Sequence, residues 1–532
     1  MKITHQLALL GFAISAITLT GCSEMGLSKA SYDETDTGYS GDQGAPEDPS
    51  WDDDGGEDNG VSEEENDFLA LMPAQTDVYV FIANPGRSTI TRVNVYSMQV
   101  DTTEVGNDPT VVTVTPDYSR VAVFNNGDDT VDLFDSDTLE GMTVKVRDNF
   151  NTMVMSPNGT WVALWHSMNV DDDESPGAGL QSFNEVSFVN VVTGEHFPMA
   201  VGFNPREIQF TPDDSLAIVV SDEYLGLVDL LAPVPSPNMI QVAEDLLDPP
   251  LAEEVEVAPD GSYAFVRQFG AEEILVVDLV SELVTAVPVG SNPTDLDLSP
   301  DGTEAIIVSR GSHEVYVLDV ADPVAIPPEI IDLPEEYSFG SVLFDPTGEK
   351  AMIYTTATAL DRYATWDRNT DEVTVRSLVK PVAGMAITPT GNSMLVFHNK
   401  TDVEGADTSS PFYNEWALTM VDLDDFRTNP LLLPAEPTGY ANSTNGQFGY
   451  FIMENQPYLE VLRYDTLLYD QVVLKSDPVY VGVLPDLDLE DGDEPPAWVS
   501  QEHQLGRLTF FDPDEGSVET ITGFELNAHI ED

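Results

Sequence analysis

The sequence predicts an all-β fold, a β-propeller of about ten four-stranded units, on three observations. A turn of the type Ser/Thr-Pro-Asp-Gly recurs between two short apolar runs, as in "TPDYSRVAVF" from Thr115, "SPNGTWVALW" from Ser156, "TPDDSLAIVV" from Thr211, "APDGSYAFVR" from Ala258 and "SPDGTEAIIV" from Ser299. The pattern continues in "DPTGEKAMIY" from Asp345, "TPTGNSMLVF" from Thr388 and "STNGQFGYFI" from Ser443, with an expanded version over Leu484–Trp498. Each turn is followed by an apolar strand, a short loop, a third strand such as "EVYVLDV" or "EILVVDL", and a more polar fourth strand. Long helical periodicity is absent, while Val, Ile, Tyr and Phe alternate over short runs.

The stretch 289–320, "VGSNPTDLDLSPDGTEAIIVSRGSHEVYVLDV", contains most of one unit. Its turn suits the chemistry of its residues: Pro presets φ, Asp bonds the backbone and Gly accepts positive φ. Units often begin with Gly and Pro close together, as at Gly106 and Pro109, Gly202 and Pro205, and Gly290 and Pro293. The first unit starts at Asp77 without a preceding inner strand, and "FELNAHIED" from Phe524 reads as an inner strand without outer ones. Joining the two ends completes a blade and removes two exposed sheet edges. That complementarity favours one closed ring over two smaller rings in tandem.

"YVFIAN" at Tyr79–Asn84, followed by "STITRVNV", and nearly all of 290–320 resemble the YVTN-type, WD40-like β-propeller repeats. The resemblance spans about residues 77–530. It implies a propeller and says little about function, since such rings serve binding, scaffold and some enzymatic roles.

The N-terminus carries a different kind of signal. Lys2 precedes an apolar run, Leu7–Leu19, that is suited to a signal peptide and short for a membrane span. The run ends in Leu19-Thr20-Gly21-Cys22, which resembles the lipobox of bacterial lipoproteins, and Cys22 is the one cysteine of the chain. The resemblance implies lipidation of the Cys22 thiol and cleavage before it. Ser23 in the next position implies the outer membrane of a Gram-negative cell, on its periplasmic or surface face. From Ser23 to Asn66 there are fifteen acidic residues and one lysine, so this stretch reads as a disordered, self-repelling tether. The expected organisation is a signal peptide over 1–21, the lipidated cysteine and tether over 22–66, and the propeller over 67–532.

Charge and cysteine content narrow the function classes. Twenty Lys and Arg stand against 95 Asp and Glu, a formal net charge of −75. Phosphate contacts need the opposite sign, so nucleic acid is excluded as a partner. A single cysteine rules out an internal disulfide and Cys-based zinc or c-type haem motifs. The acidic excess suits saline surroundings or divalent cations.

Two units carry long insertions between their second and third strands: Trp165–Phe188 and Phe397–Met420. They resemble each other. His166 and His398 end a strand, Asp171, Asp172, Asp173 and Glu174 stand beside Asp402 and Glu404, and Asn184-Glu185 matches Asn414-Glu415. His503 occupies a similar place in the last unit. Loops of this kind at one end of the ring are candidate ligand-binding elements. Histidine near carboxylates suits zinc or a transition metal, while the bland alternative is a strand-end histidine acting as a hydrogen-bonding cap. The expanded ninth turn crowds Asp486, Asp488, Glu490, Asp491 and Asp493 around Gly492, a set suited to Ca2+, although its spacing departs from D-x-[DN]-x-[DN]-G. No GxSxG, HExxH, P-loop or post-strand GxGxxG occurs. The sequence therefore points to a monomeric, lipid-anchored envelope module that binds a protein, glycan or other ligand. The alternative on the same fold is a metal-assisted hydrolase or lactonase.

Overall fold

The computed structural model describes residues 74–167, 183–243, 252–268, 270–443, 445–466, 468–485, 494–503 and 505–524. They form ten antiparallel sheets in chain order: 79–104, 109–145, 152–200, 207–241, 252–288, 293–332, 341–377, 384–432, 437–473 and 478–522, numbered blades 1 to 10. Blade 6 is representative, with strands Pro293–Leu298, Glu304–Ser309, Glu314–Asp319 and Glu329–Asp332 paired in that order. The one helical element among the described residues is a 3-10 turn, Pro85–Arg87.

The repeated turns make the hairpins. In the first turn of blade 6, Ser299 Oγ accepts the Glu304 amide at 3.0 Å and donates to Asp301 at 2.7 Å. The Gly302 amide closes on Ser299 O at 2.7 Å with Gly302 at φ +68°. Glycine is needed twice over there, because a Cβ at Gly302 would also collide with Pro259 of blade 5. A second device joins the third and fourth strands. The last residue of the third strand is Asp or Asn in nearly every blade, and its side chain caps the turn. Asp135 Oδ1 accepts the amides of Asp137 and Thr138 at 3.2 and 2.9 Å, and Leu139 then turns at φ +58°. The Thr138 amide and hydroxyl hold the Asp135 carboxyl below its ordinary pKa.

Packing follows from alternation in the second strands. In blade 6, Ala305 and Ile307 face the core shared with blade 5, while Ile306 and Val308 face the core shared with blade 7. The same division recurs around the molecule, giving cores between blades 1–2, 2–3, 3–4 and onward to 9–10. A further core joins blade 10 back to blade 1, where Val80 and Val93 pack with Trp498, Leu508, Phe510 and Phe524. The ten blades thus form one closed ring, not two in tandem.

The seam includes one element that the sequence expectation did not. Blade 1 takes a short inner segment from its own side of the chain. Ala74–Thr76 folds back through Asp77 and Val78, with Phe81 N bonded to Ala74 O at 2.9 Å and Thr76 N to Tyr79 O at 2.8 Å. A two-residue turn replaces the longer Pro-Asp-Gly type, which is why the unit does not announce its inner strand. Gln75 then bridges the seam: its Nε2 donates to Val483 O, and its Oε1 accepts Trp498 Nε1–H at 2.6 Å. The C-terminal segment assigned by the sequence to this inner strand lies outside the described residues beyond Phe524.

Trp498→Ala removes the largest apolar side chain of the seam and the indole donor to Gln75. It is expected to cost about 3–5 kcal/mol in urea unfolding, against about 1–3 kcal/mol for Gln75→Leu. An unchanged midpoint for Trp498→Ala contradicts this account of closure.

Candidate functional site

Antiparallel pairing fixes which loops share an end of the ring. Loops between second and third strands, and links between blades, emerge at one end, and the Pro-Asp-Gly turns emerge at the other. His166, His398 and His503 therefore lie at the same end. They belong to blades 3, 8 and 10. Blades 3 and 8 are five places apart in a ring of ten, so the two look-alike insertions stand on opposite sides.

The resemblance between the two histidines extends to their bonding. His166 Nδ1 lies 3.0 Å from Asn149 O, and His398 Nδ1 lies 2.7 Å from Pro381 O. Each carbonyl is seventeen residues back, in the link that starts the same blade. A carbonyl accepts only, so Nδ1 carries the proton in both. His398 is buried, and its Nε2 faces Thr419 Oγ1 at 2.7 Å. Burial, then the nearby Lys380 charge, outweigh the Pro381 bond and hold its pKa down from 6.5 to about 4. His166 is buried under the edge of Phe183, with ring centroids 5.3 Å apart. Both histidines thus tie the end of a second strand to the incoming link. His503 Nδ1 accepts the Leu505 amide at 3.1 Å within its own loop.

The blade 8 insertion is held by a residue that the sequence reading passed over. Lys380 sits in the link before blade 8 with its side chain 1% exposed. Its Nζ donates to Asp402 at 2.6 Å and to Phe412 O at 3.0 Å. Asp402 accepts the Asn414 amide at 2.7 Å with its other oxygen, and Asn414 takes φ +54°. One buried ammonium therefore fastens both limbs of the loop. Lys400 lies over the Trp416 ring, 5.9 Å from its centroid. Glu404 and Tyr413 stay exposed at the loop surface, and the Glu415 amide bonds Phe412 O at 3.3 Å. The signal in the sequence was a lone lysine between Val379 and Pro381, in a link where a free charge has no reason to stand.

In blade 3, Asn184 O accepts the Val201 amide at 2.8 Å, and Glu185 opens the third strand 3.7 Å from Arg147 Nε. Asp171, Asp172, Asp173 and Glu174 lie outside the described residues. So do Asp486, Asp488, Glu490, Asp491 and Asp493 of the ninth turn, and Cys22. Among the described residues, no group of three or more His, Cys, Asp or Glu side chains is placed to hold a metal ion.

No protein-family model matches the chain, and no curated protein matches it. Among solved structures, hydrazine synthase of Kuenenia stuttgartiensis is 17% identical over 59% of this chain and 97% of its own, with a TM-score of 0.30. A eukaryotic initiation factor is 13% identical over 75% and 97%, with a TM-score of 0.49. Dihydro-heme d1 dehydrogenase NirN in complex with DHE is 14% identical over 74% and 81%, at 0.39. Likenesses this distant carry no functional argument, and the ring is read from the chain's own sheets and cores.

The depressed pKa of His398 gives a signed pH effect. The unfolded chain takes up this proton first as pH falls, so the stability from neutral His398 is full above pH 6.5 and is lost toward pH 4. It amounts to about 3 kcal/mol at most. Urea unfolding at pH 7 and pH 4.5 is expected to show a steeper loss for the natural protein than for His398→Gln. Equal losses contradict the bonding described.

Proposed function

We propose that the protein is an exported, lipid-anchored binding module of the cell envelope, presenting the loop-bearing end of its ring to a protein, glycan or other envelope ligand. The observation that carries this reading is the fastening of the blade 8 insertion by Lys380. Burying a lysine is costly unless it is paired and hydrogen-bonded. Here that cost fixes a surface loop, which suits recognition by pre-organising the contact residues. The closed ring beneath gives the loop a rigid base. Anchoring rests on the position of Cys22 behind the apolar run Leu7–Leu19, and the acidic stretch to Asn66 would hold the ring away from the bilayer. Export to the outer membrane of a Gram-negative cell follows from the same N-terminal pattern.

The hydrolase or lactonase alternative draws on His398 and His166. Both nitrogens of His398 already face protein oxygens, and the two histidines stand in opposite blades, which favours the binding reading. Ca2+ at the ninth turn remains a separate proposal, tested by metal analysis of the purified protein and by melting with and without EDTA.

Two arms test the main proposal. Detergent phase partitioning is expected to place the natural chain with membranes and Cys22→Ala in the aqueous phase. Membrane partitioning that survives the substitution overturns lipid anchoring. A photo-crosslinking residue at Glu404 in intact cells is expected to give a discrete adduct that Lys380→Met weakens. The same residue at Glu349, at the other end of the ring, is expected to give none. Equal adducts from both positions, or none from Glu404, overturn the binding role of the loop.

A further inference from the structure

The end of the ring opposite the inserted loops carries an apolar strip on its outer rim. Leu231 and Val234 lie in the turn between the third and fourth strands of blade 4, Val280 and Val324 in the matching turns of blades 5 and 6, and Leu283 and Ile330 at the start of the fourth strands that follow. Val280 is 85% exposed and Leu231 76% exposed, the two highest values for large apolar side chains among the described residues.

Two contacts join neighbouring blades along this rim. Asn238 of blade 4 donates to Glu282 of blade 5 at 2.7 Å. Val324 of blade 6 joins Tyr263, Val276, Leu283 and Thr285 of blade 5 around a shallow pocket, with Asp278 at its edge.

The turns that carry the strip have charges of one sign. Residues 229–237, 278–283 and 319–329, which span those turns and the strand ends beside them, contain six Asp or Glu and no Lys or Arg. Prolines stand at the outer strands: Pro237 opens one, Pro288 closes another, and Pro327 and Pro328 precede the third. Proline at a sheet edge blocks strand addition, so a partner here must engage through side chains.

We propose that this rim of blades 4 to 6 docks a basic amphipathic segment of a partner protein. Its apolar side chains would enter the pocket between Leu283 and Val324, and its Lys or Arg side chains would meet Asp229, Glu282 and Asp322. Charge selects among the occupants. A second copy of this chain carries the same −75, and its own stretch 23–66 has fifteen acidic residues to one lysine. Both are repelled from a rim of carboxylates, as is an anionic bilayer. A cationic amphipathic segment satisfies the apolar strip and its border together.

The test uses the full mature chain in mild detergent and two labelled synthetic peptides of about 18 residues. Both contain the same Leu and Lys residues; one has them arranged with a single apolar face, and the other permuted to have none. Fluorescence anisotropy is expected to show the amphipathic peptide binding at least about tenfold more tightly than the permuted one. Leu283→Glu and Val324→Glu are each expected to weaken it by about tenfold. Since each adds a negative charge, general attraction for a cationic peptide would change in the other direction. Val280→Glu, at a still more exposed position, serves if either variant melts early. Equal binding of the two peptides, or unchanged binding by the variants, overturns the proposal. So does a concentration-dependent dimer in sedimentation that Leu283→Glu abolishes, which would assign the rim to self-association.

Discussion

Each blade of this protein is apolar on both faces, and that constraint organises the rest. A sheet with one buried face can stop at a neighbour and turn its other side to water. The second strands here cannot, because successive residues such as Ile306 and Ile307 enter different cores. Every blade therefore needs a partner on each side, and a linear stack would leave two apolar faces in solvent. Closing the chain on itself removes both. The seam built from Val80, Val93, Trp498 and Phe524 is the same kind of core as the other nine, with a hydrogen-bonded clasp at Gln75 added where the chain has no covalent link to hold it.

With the interior committed to packing, function falls to the two ends and the rim. The Pro-Asp-Gly end is built mostly from short self-bonded turns, with the expanded turn of blade 10 as the exception. At the other end, links and loops change length without disturbing the cores, and both long insertions occur there. The protein spends one of its 20 basic residues, Lys380, inside a link to hold such a loop. The outer rim is further from these constraints, and on blades 4 to 6 it carries the two most exposed large apolar side chains among the described residues, Val280 and Leu231.

The architecture was legible in the sequence because its determinants are local and repeated. Ser299, Asp301 and Gly302 set their turn by contacts within six residues, so the motif states the geometry. Asp135 and its equivalents do the same for the next turn. The closure was only half legible. The pairing of Ala74–Thr76 with Tyr79–Phe81 uses a two-residue turn with no proline or glycine, and no pattern marks it. The site was less legible still. His166 and His398 stand out in sequence as ligand-like residues beside acidic runs. In the fold, carbonyls seventeen residues upstream accept hydrogen bonds from their Nδ1–H groups, and nothing near a histidine in sequence reveals a partner brought by a sheet. Lys380 was missed for the same reason: its meaning depends on Asp402, twenty-two residues away across a strand pair.

The direct test of ring closure compares two equivalent pairs of spin labels by pulsed electron resonance, with Cys22 replaced by Ala so that each pair holds the only cysteines. Glu515 and Tyr96 lie on exposed turns of blades 10 and 1, on either side of the seam. Thr138 and Val192 occupy the matching turn positions in blades 2 and 3, which are joined by the chain. A closed ring predicts that the two distance distributions are alike in mean and width. A longer, broader distribution across the seam would mean that the ring is open and that the two-faced blades are satisfied in some other way.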